Sequence, residues 1–242
     1  MQKKTVGIIP ARFGSSRFPG KPLVSIEGIP MVIRVYQQAK KVLALDQVII
    51  ATDHPEIFAT AQHWKAEVVM TSDQHPSGTD RCLEVVQKLE LKPSDIVVNI
   101  QGDEPFIAPE QIEQLAKICH EGAEIASLMK PLEDLESFNN PNVVKVVAST
   151  LNKALYFSRS PIPYFRENSD KVPERCFHHV GLYAYSVKAL QSIGNLQPSS
   201  LEKTEGLEQL RWLENGLDIH LGITYFDTQA VDSPEDLLKI QN

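Results

Sequence analysis

Short apolar runs of three to five residues alternate with helix-period segments in the first half of the chain, and this alternation constrains the fold more than any other feature. Runs with the composition of β-strands occur at residues 6–10, 48–51, 68–70 and 96–100. Between these runs, apolar side chains recur at helical spacing at Met31, Val35, Ala39 and Val42, and at Ile112, Leu115 and Cys119. The alternation predicts an α/β fold in which helices flank a mostly parallel sheet.

The second half of the chain is less regular. Strands are predicted at residues 125–130, 143–148 and 182–185, and a polar, proline-containing segment at 159–178 is predicted to be a loop. Two helix starts are clear: S-S-L-E at 199–202 has capping-box spacing, and S-P-E-D at 233–236 places a proline and acids after a capping serine. No linker composition separates the two halves, so we expect one domain over residues 1–242.

Polar or glycine-containing loops follow three of the predicted strands. These loops cover residues 11–22, residues 52–53 and residues 101–105. Because ligands bind beyond the carboxyl ends of the strands in open α/β sheets, the three loops should lie on one edge of the sheet. We therefore expect residues that are about ninety positions apart to line one cleft.

Charge and cysteine content argue against several classes of protein. The formal net charge of −7 argues against broad nucleic-acid binding, which requires a basic surface to neutralise phosphates. The three cysteines are far apart and have neither disulfide-framework nor zinc-ligand spacing. The apolar run at residues 6–9 is too short for a secretory signal, and no run approaches a membrane span. We therefore expect a cytoplasmic protein without a membrane partner.

The first of these loops combines small residues with positive charge. No acidic residue occurs between positions 1 and 26, whereas five cations do: Lys3, Lys4, Arg12, Arg17 and Lys21. Small side chains let the backbone approach a phosphate, while Arg12 can donate through a planar fork and Lys21 acts as a point charge. The loop matches neither the Walker nor the dinucleotide-binding fingerprint. The cations favour a phosphate-binding loop, and a solvated turn is the alternative.

Residues 10–23, P-A-R-F-G-S-S-R-F-P-G-K-P-L, resemble the nucleotide-binding signature of the sugar nucleotidyltransferases. The long form that ends in P-G-K-P-L resembles the CMP-Kdo synthetases in particular, where Kdo is the sugar acid 3-deoxy-manno-octulosonate. Further segments are similar to motifs of that family, in the same order, at residues 51–53, 77–81, 99–105, 154–159, 179–183, 207–211 and 231–237. The resemblance extends over nearly the whole chain.

The resemblance implies a Rossmann-like, mostly parallel sheet flanked by helices, with a smaller mixed β subregion around residues 132–180 used for acceptor binding and dimerisation. It implies an enzyme that transfers CMP from CTP to the anomeric hydroxyl of Kdo, releases pyrophosphate and so activates Kdo for lipopolysaccharide synthesis. A homodimer is expected. The alternatives are a cytidylyltransferase for amino-Kdo or a sialic acid, and a non-catalytic module that binds CTP or CMP-sugars.

The resemblance also assigns residues to CTP and to a metal ion. Arg12, Lys21, Asp103 and Asp232 are the expected catalytic residues, and the two aspartates are expected to hold Mg²⁺. The alternative for Asp103 is a turn residue and for Asp232 a helix-capping acid, and Arg81 could be an exposed helix residue. The residues expected to bind CTP are Pro10, Ala11, Arg12, Gly14, Ser15, Arg17, Lys21, Ser77, Gly78, Arg81 and Gln101.

Kdo is an anion with several hydroxyl groups, so its pocket should supply hydrogen-bond donors. The residues that the resemblance implies are Gln101, Arg159, Arg166, His179, Tyr183, Glu208 and Gln209. His178 and His179 could instead form a metal site or pack at a strand edge, although no second pair of ligands supports a metal. One of Tyr183 and Tyr185 could be a core residue, and the helix that carries Glu208 could present a solvated face.

Overall fold

The computed structural model describes residues 3–14, 18–166, 171–172, 174–227, 230–231, 233 and 235–237. Its strands are β1 (Thr5–Ala11), β2 (Ser25–Ile26), β3 (Ile29–Pro30), β4 (Gln47–Thr52), β5 (Val68–Met70), β6 (Ile96–Asn99), β7 (Ile125–Pro131), β8 (Lys145–Ala148), β9 (Ala154–Ser158), β10 (Phe177–Ser186) and β11 (His220–Ile223). Its helices are α1 (Met31–Ala39), α2 (Pro55–His63), α3 (Gly78–Lys88), α4 (Pro109–His120), α5 (Leu135–Asn139), α6 (Val187–Gly194), α7 (Ser200–Glu205) and α8 (Gln209–Glu214).

A mixed sheet forms the centre of the fold, with strand order β11-β7-β10-β6-β1-β4-β5. β1 pairs in parallel with both β4 and β6, and β4 pairs in parallel with β5. β10 is antiparallel to β6 and β7, while β11 is parallel to β7. The mostly parallel sheet flanked by helices is confirmed, with β10 as the reversed strand along this order.

A smaller antiparallel part extends from the start of β10. β8 pairs with residues 177–178 of β10 and also with β9. β8 and β9 lie within residues 132–180, where a mixed β subregion is expected, and they confirm that part of the prediction. A role of this subregion in dimerisation stays a prediction.

Alternate side chains of the central strand enter two different cores. Val6 and Ile8 of β1 pack with α3, α6 and α8, whereas Ile9 and Ala11 pack with α1, α2 and α4 on the other face. All four side chains are buried, because helices cover both faces of the sheet. The strand is therefore held from both sides, and the loop at its carboxyl end is left at the edge of the sheet.

Three predicted boundaries are wrong. α1 ends at Ala39 because the chain turns there through i to i+3 hydrogen bonds, and Val42 packs into the core from that turn. β8 begins at Lys145, two residues later than predicted, because residue 143 closes a turn. The predicted loop 159–178 ends early, because residues 177–178 open β10 and pair with β7 and β8.

Both predicted helix starts have the predicted capping contacts. Ser199 Oγ accepts from the backbone N–H of Glu202, and the Glu202 carboxylate accepts from the backbone N–H of Ser199, which completes a capping box. Ser233 Oγ accepts from the backbone N–H of Asp236 at 3.3 Å. Pro234, predicted to follow this cap, lies outside the described residues.

Cys82, Cys119 and Cys176 are buried free cysteines. Burial raises the pKa of Cys119 to about 12, so its reactive thiolate is scarcely populated near neutral pH.

Among the helices that the structure describes, none combines the length and the apolar composition needed to cross a membrane.

Candidate active site

A cavity of about 230 Å³ opens at the edge of the sheet where β1 and β6 end and α3 begins. The loop after β1, the loop after β6 and the segment before α3 build its wall. Its lining residues are Pro10, Ala11, Arg12, Lys21, Pro22, His75, Pro76, Ser77, Gly78, Arg81, Gln101, Gly102 and Asp103. Two of the three loops predicted to share a cleft therefore do so, and the third contacts it through an ion pair of Asp53 with Arg81.

The loop after β1 turns back on itself at Gly20. Gly20 has φ 71°, a left-handed conformation that glycine adopts without strain, and its N–H donates to Phe13 O at 3.1 Å. The Phe13 ring stacks on His54, with ring centroids 3.9 Å apart, and this contact holds the loop against the end of β4. The chain then enters a 3₁₀ turn, Lys21–Leu23, that places Lys21 in the cavity wall.

Lys21 and Asp103 form an ion pair in this wall. Lys21 Nζ donates to Asp103 Oδ2 at 2.8 Å, although the two residues are 82 positions apart. Their side chains are 14% and 30% exposed, so a ligand in the cavity can reach both. The backbone N–H of Val231 donates to Asp103 O at 2.9 Å, so the segment before Asp232 contacts the same loop. Asp232 itself lies outside the described residues.

The loop after β6 approaches the end of β1 too closely for a side chain at its centre. A Cβ atom added to Gly102 would lie 2.7 Å from Pro10 O, closer than backbone atoms tolerate without moving. Gln101 and Asp103 flank this glycine, and both line the cavity. Glycine at this position therefore sets how close the two loops lie.

The first turn of α3 faces the cavity. Ser77 caps the helix, because its Oγ accepts from the backbone N–H of Asp80 at 3.2 Å and donates to Asp80 Oδ2 at 2.7 Å. Gly78 packs against the ring of Pro10, to which an added Cβ would lie at 3.4 Å. Free backbone N–H groups at a helix start favour electron-rich ligand atoms, so this end of α3 suits an acceptor group of a ligand.

Arg81 is a buried cation in the cavity wall, with 3% of its surface exposed. Its Nη2 donates to Asp53 Oδ2 at 2.8 Å. Its Nη1 donates to Ser72 O at 3.2 Å and also contacts Thr71 Oγ1. The alternative of an exposed helix residue is therefore wrong for Arg81.

His75 lines the same cavity and contacts Glu84 through Nε2. Glu84 also accepts from the backbone N–H of Ser72 at 2.8 Å and pairs with Lys88 at 2.8 Å. Burial acts to raise the pKa of Glu84, but the hydrogen bonds from Lys88, Ser72 and His75 together lower it to about 2. An ionised carboxylate accepts and cannot donate, so His75 carries a proton on Nε2.

A second polar cluster lies beside the cavity, and it consists of His179 and Tyr183 of β10 with Ser127 of β7. It is called the β10 cluster below. His179 Nε2 is 2.9 Å from Ser127 Oγ, and the His179 ring centroid is 5.4 Å from that of Tyr183. Burial is the larger cause that lowers the pKa of His179 to about 3, so the imidazole is neutral. Gln101 Nε2 donates to Gly181 O at 3.1 Å, and this bond joins the cluster to the cavity.

Glu208 contacts the start of α3. Its carboxylate accepts from Thr79 Oγ1 at 3.2 Å and from Arg211 Nη2 at 3.2 Å, and it lies 3.5 Å from Ser77 Oγ. Burial raises the pKa of Glu208, and Arg211 opposes that rise. Gln209 is buried, whereas the side chain of Glu208 is 29% exposed. The alternative of a solvated helix face is therefore wrong for Gln209, while Glu208 is partly exposed and held by its hydrogen bonds to Thr79 and Arg211.

The two tyrosines of β10 have different surroundings. Tyr185 is fully buried, and its ring lies 5.9 Å from that of Tyr183 and 5.7 Å from that of Trp212. Tyr183 belongs to the β10 cluster, in contact with His179. Both tyrosines lie in the same buried core, and Tyr183 stays the candidate for ligand contact because its ring also contacts His179.

Within the part of the chain that the structure describes, the two arginines predicted to contact Kdo form no hydrogen bond or ion pair with the β10 cluster. Arg159 donates from Nε to Glu205 O at 2.7 Å and from Nη1 to Pro141 O at 3.1 Å. Its own carbonyl accepts from the fully buried Lys145 at 2.7 Å. Arg166 is exposed. A contact of either arginine with Kdo stays a prediction.

Most of the residues predicted to bind CTP line the cavity. They are Pro10, Ala11, Arg12, Lys21, Ser77, Gly78, Arg81 and Gln101. Gly14 is exposed and is not one of the lining residues, while Ser15 and Arg17 lie outside the described part of the chain. The geometry suits the prediction, and the role of each residue in binding CTP stays a prediction.

Four lining residues were missed by reasoning from the sequence: Pro22, His75, Pro76 and Gly102. Pro22, Pro76 and Gly102 each directly adjoin a residue that was predicted, and that adjacency is the signal that could have found them. His75 is different, because it enters the wall through a contact with Glu84, nine positions further along. That contact depends on the fold of the segment before α3.

The metal-binding groups that line the cavity suit a metal ion that is bound together with a phosphate ligand. Asp103 offers a carboxylate, and across the described ranges no three His, Cys, Asp or Glu side chains are grouped to hold a metal, at His178 and His179 or elsewhere. Mg²⁺ commonly binds one or two carboxylates and completes its coordination with water and substrate phosphates. The cavity therefore fits Mg²⁺ in company with a triphosphate better than a metal held by protein alone.

A mostly parallel sheet with a cation-lined cavity at its strand ends defines an α/β nucleotide-binding protein. A family model described as cytidylyltransferase matches residues 6–219. The chain therefore belongs to the cytidylyltransferase family.

Similar proteins carry more specific names. A 3-deoxy-manno-octulosonate cytidylyltransferase from Cytophaga hutchinsonii is 48% identical over 239 residues, which cover 97% of this chain and 95% of the relative. The protein of the same name from Parabacteroides distasonis is 51% identical over 245 aligned positions, which cover 98% and 96%. A solved CMP:2-keto-3-deoxy-manno-octonic acid synthetase complexed with CTP superposes with a TM-score of 0.92 at 42% identity, over 99% of this chain and 97% of that one.

Proposed function

We propose that this chain is a 3-deoxy-manno-octulosonate cytidylyltransferase, which transfers CMP from CTP to the anomeric hydroxyl of Kdo and releases pyrophosphate. The product, CMP-Kdo, would supply activated Kdo for lipopolysaccharide synthesis. The observation that carries the proposal is the full-length match to the synthetase solved with CTP, at a TM-score of 0.92. The cavity at the strand ends supplies the groups that such a transfer requires.

The triphosphate of CTP is proposed to lie along the loop after β1. Arg12 is exposed at the cavity and Lys21 lies in its wall, so both can neutralise phosphate oxygens. Gly14, Ser15 and Arg17 are proposed to contribute from the same loop, where small residues let backbone N–H groups approach. These contacts hold the α-phosphate in place for attack.

The cytosine base is proposed to lie against the start of α3. Pro10 and Ala11 form the floor there, and Ser77, Gly78 and Arg81 form the adjoining wall. Cytosine presents acceptors at O2 and N3 and a donor at N4, so backbone and guanidinium N–H groups can read its edge. Buried donors that must find partners discriminate strongly between bases.

Asp103 and Asp232 are proposed to hold Mg²⁺. When bound, that ion withdraws charge from the α-phosphorus and orients the phosphate oxygens. Lys21 already neutralises Asp103 at 2.8 Å, so the carboxylate lies in a positive environment before any ligand enters. A contact of Val231 with Asp103 supports the placement of the following residue, Asp232, near the same loop.

Kdo is proposed to bind beside the nucleotide, against Gln101, His179, Tyr183, Glu208 and Gln209, with Arg159 and Arg166 as further contacts. Gln101 lines the nucleotide cavity and donates to Gly181 O of β10, so it lies between the two substrates. The anomeric hydroxyl would lose its proton to water as its oxygen forms a bond to the α-phosphorus and the bond to the pyrophosphate oxygen breaks. Positioning and charge neutralisation supply most of the catalysis.

The assembly and location of the enzyme are also proposals. We propose a cytoplasmic homodimer that pairs through residues 132–180 and acts without a membrane or nucleic-acid partner. Leu151, which precedes β9, and Leu155 within β9 are 78% and 60% exposed, and burying them would favour association. A cytoplasmic location fits CTP as a substrate.

Pyrophosphate release tests the proposed activity. The purified chain with CTP, Kdo and Mg²⁺ should release pyrophosphate and form CMP-Kdo, and replacing CTP with UTP should largely abolish the reaction. Faster turnover with amino-Kdo or a sialic acid would identify another acid-sugar cytidylyltransferase. Binding of CTP by calorimetry without release of pyrophosphate with any of these acceptors would favour the non-catalytic module.

A further inference from the structure

The carboxylate of Asp53 lies at the end of β4, beside the proposed nucleotide site. Its segment, residues 51–53, is one of the motifs of the resemblance, yet none of the roles assigned to CTP, Kdo or Mg²⁺ uses it. Asp53 is not a lining residue of the cavity. Its Oδ2 instead accepts from Arg81 Nη2 at 2.8 Å, and Arg81 does line the cavity.

Some N–H donors of the Arg81 guanidinium are not used by the described protein residues and are available to a ligand. The group has five N–H donors, and the described protein residues use three of them, toward Asp53, Thr71 and Ser72. The Nε–H and one Nη2–H have no partner among the described residues. These remaining donors are carried by neighbouring nitrogen atoms of a side chain that lines the cavity.

From this geometry we infer that Asp53 is a positioning residue that orients Arg81 for recognition of the base of CTP. Without Asp53, the guanidinium could turn about its last side-chain bonds, because Thr71 and Ser72 contact it only through Nη1. The carboxylate holds Nη2 and thereby fixes the plane of the fork. The inference rests on the proposed binding of CTP in this cavity.

The orientation of the fork determines which base can be read. Two adjacent donors match two adjacent acceptors, and O2 and N3 of cytosine are such a pair. N3 of uracil carries a hydrogen atom, so the same fork would leave a donor facing a donor. An oriented Arg81 therefore favours CTP over UTP, and a turned Arg81 would favour it less.

Calorimetry with CTP tests this inference without requiring turnover. Asp53→Asn should raise the Kd of CTP by about tenfold, as expected when a charge-assisted contact is lost. It should also lower the preference for CTP over UTP in the same binding measurement. A separate turnover assay adds a second readout, in which the KM of Kdo should change by less than about twofold. A mere loss of stability would not separate the two nucleotides or the two substrates in this way.

A double variant separates positioning from a general effect of an unpaired buried cation. Arg81→Gln protein has no guanidinium to orient. Adding Asp53→Asn to it should therefore give the same Kd for CTP as Arg81→Gln alone. This double variant also lacks the unpaired charge, so it should fold even if Asp53→Asn alone does not. Additive effects of the two changes would overturn the inference.

A matched control removes a carboxylate that pairs with another arginine. Glu27→Gln breaks the contact of Glu27 with Arg34 at 2.6 Å, and neither residue lines the cavity. Its Kd for CTP should equal that of the wild type. The inference would be overturned if folded Asp53→Asn protein kept both the Kd of CTP and the nucleotide preference of the wild type. Wild-type protein that binds CTP but releases no pyrophosphate would count against the proposed function alone.

Discussion

The ammonium of Lys21 lies 2.8 Å from Asp103, so a positive charge is already placed among the side chains proposed to hold the triphosphate. The small residues and cations of the first loop pointed to this placement, since a lysine in such a loop is suited to a phosphate. They did not indicate that Asp103 would be its partner in the folded chain. Such a pairing over 82 positions depends on the order of the strands.

The partners of Arg81 in the folded chain also could not be predicted from the sequence. The resemblance assigned the segment that contains Arg81 to CTP binding, and Arg81 does line the cavity, yet an exposed position on a helix was an open alternative. Its burial follows from Asp53 at the end of β4 and Thr71 after β5, which accept its hydrogen bonds. A chain read one segment at a time does not show that these acceptors surround one guanidinium.

Replacing Lys21 tests whether its charge serves the nucleotide. Lys21→Met should lower kcat/KM for CTP by roughly tenfold to a hundredfold, because a lost charge-assisted contact costs about 1.5–3 kcal/mol. Steady-state kinetics of pyrophosphate release would measure the change. As a control, Lys188→Met removes a lysine paired with Glu124 at 3.0 Å on the surface, and its kcat/KM should stay near the wild-type value. Equal kinetics for the two variants would contradict the role of Lys21.

At the scale of elements, the parallel strands were the best predicted part of the fold. β1, β4, β5 and β6 are short apolar runs that end in polar or turn-forming residues, and their shortness and their Val and Ile content separate them from the helices. β10 was predicted only in its second half. Its first residues, 177–178, were assigned to the end of the polar loop 159–178, and only pairing with β7 and β8 makes them part of a strand.

The contact between the loops after β1 and β6 depends on Gly102. In Gly102→Ala protein the new methyl group would meet Pro10 O at 2.7 Å, so the two loops must separate. Because small displacements of binding groups have large effects, we expect the KM of CTP to rise by about tenfold or more.

Gly181→Ala is the control for this change, because an added Cβ there has no atom within 4 Å. Its KM for CTP and its Tm should match the wild type, as measured by steady-state kinetics and thermal unfolding. If Gly102→Ala behaved in the same way as this control, the close approach would not set the geometry of the cavity.

On the scale of the whole molecule, His179 couples folding to pH. Burial, together with a smaller effect of His178, lowers the pKa of His179 from its ordinary value of 6.5 to about 3. The unfolded chain therefore binds this proton more strongly than the folded chain does. The free energy of unfolding should fall as the pH drops from about 6.5 toward 3, by up to roughly 1.4 kcal/mol per pH unit for this one group.

Urea unfolding of wild type and His179→Gln at about pH 7.5 and about pH 5 measures this coupling. Glu84 should contribute little in that range, because its pKa is lowered from 4.5 to about 2, so its stabilisation is present above 4.5 and is lost only at lower pH. His178, whose pKa burial also lowers, acts in the same direction as His179 and is retained in the variant. The variant should therefore lose less stability than the wild type between the two pH values, and an equal loss in both proteins would show that His179 is not held neutral by the fold.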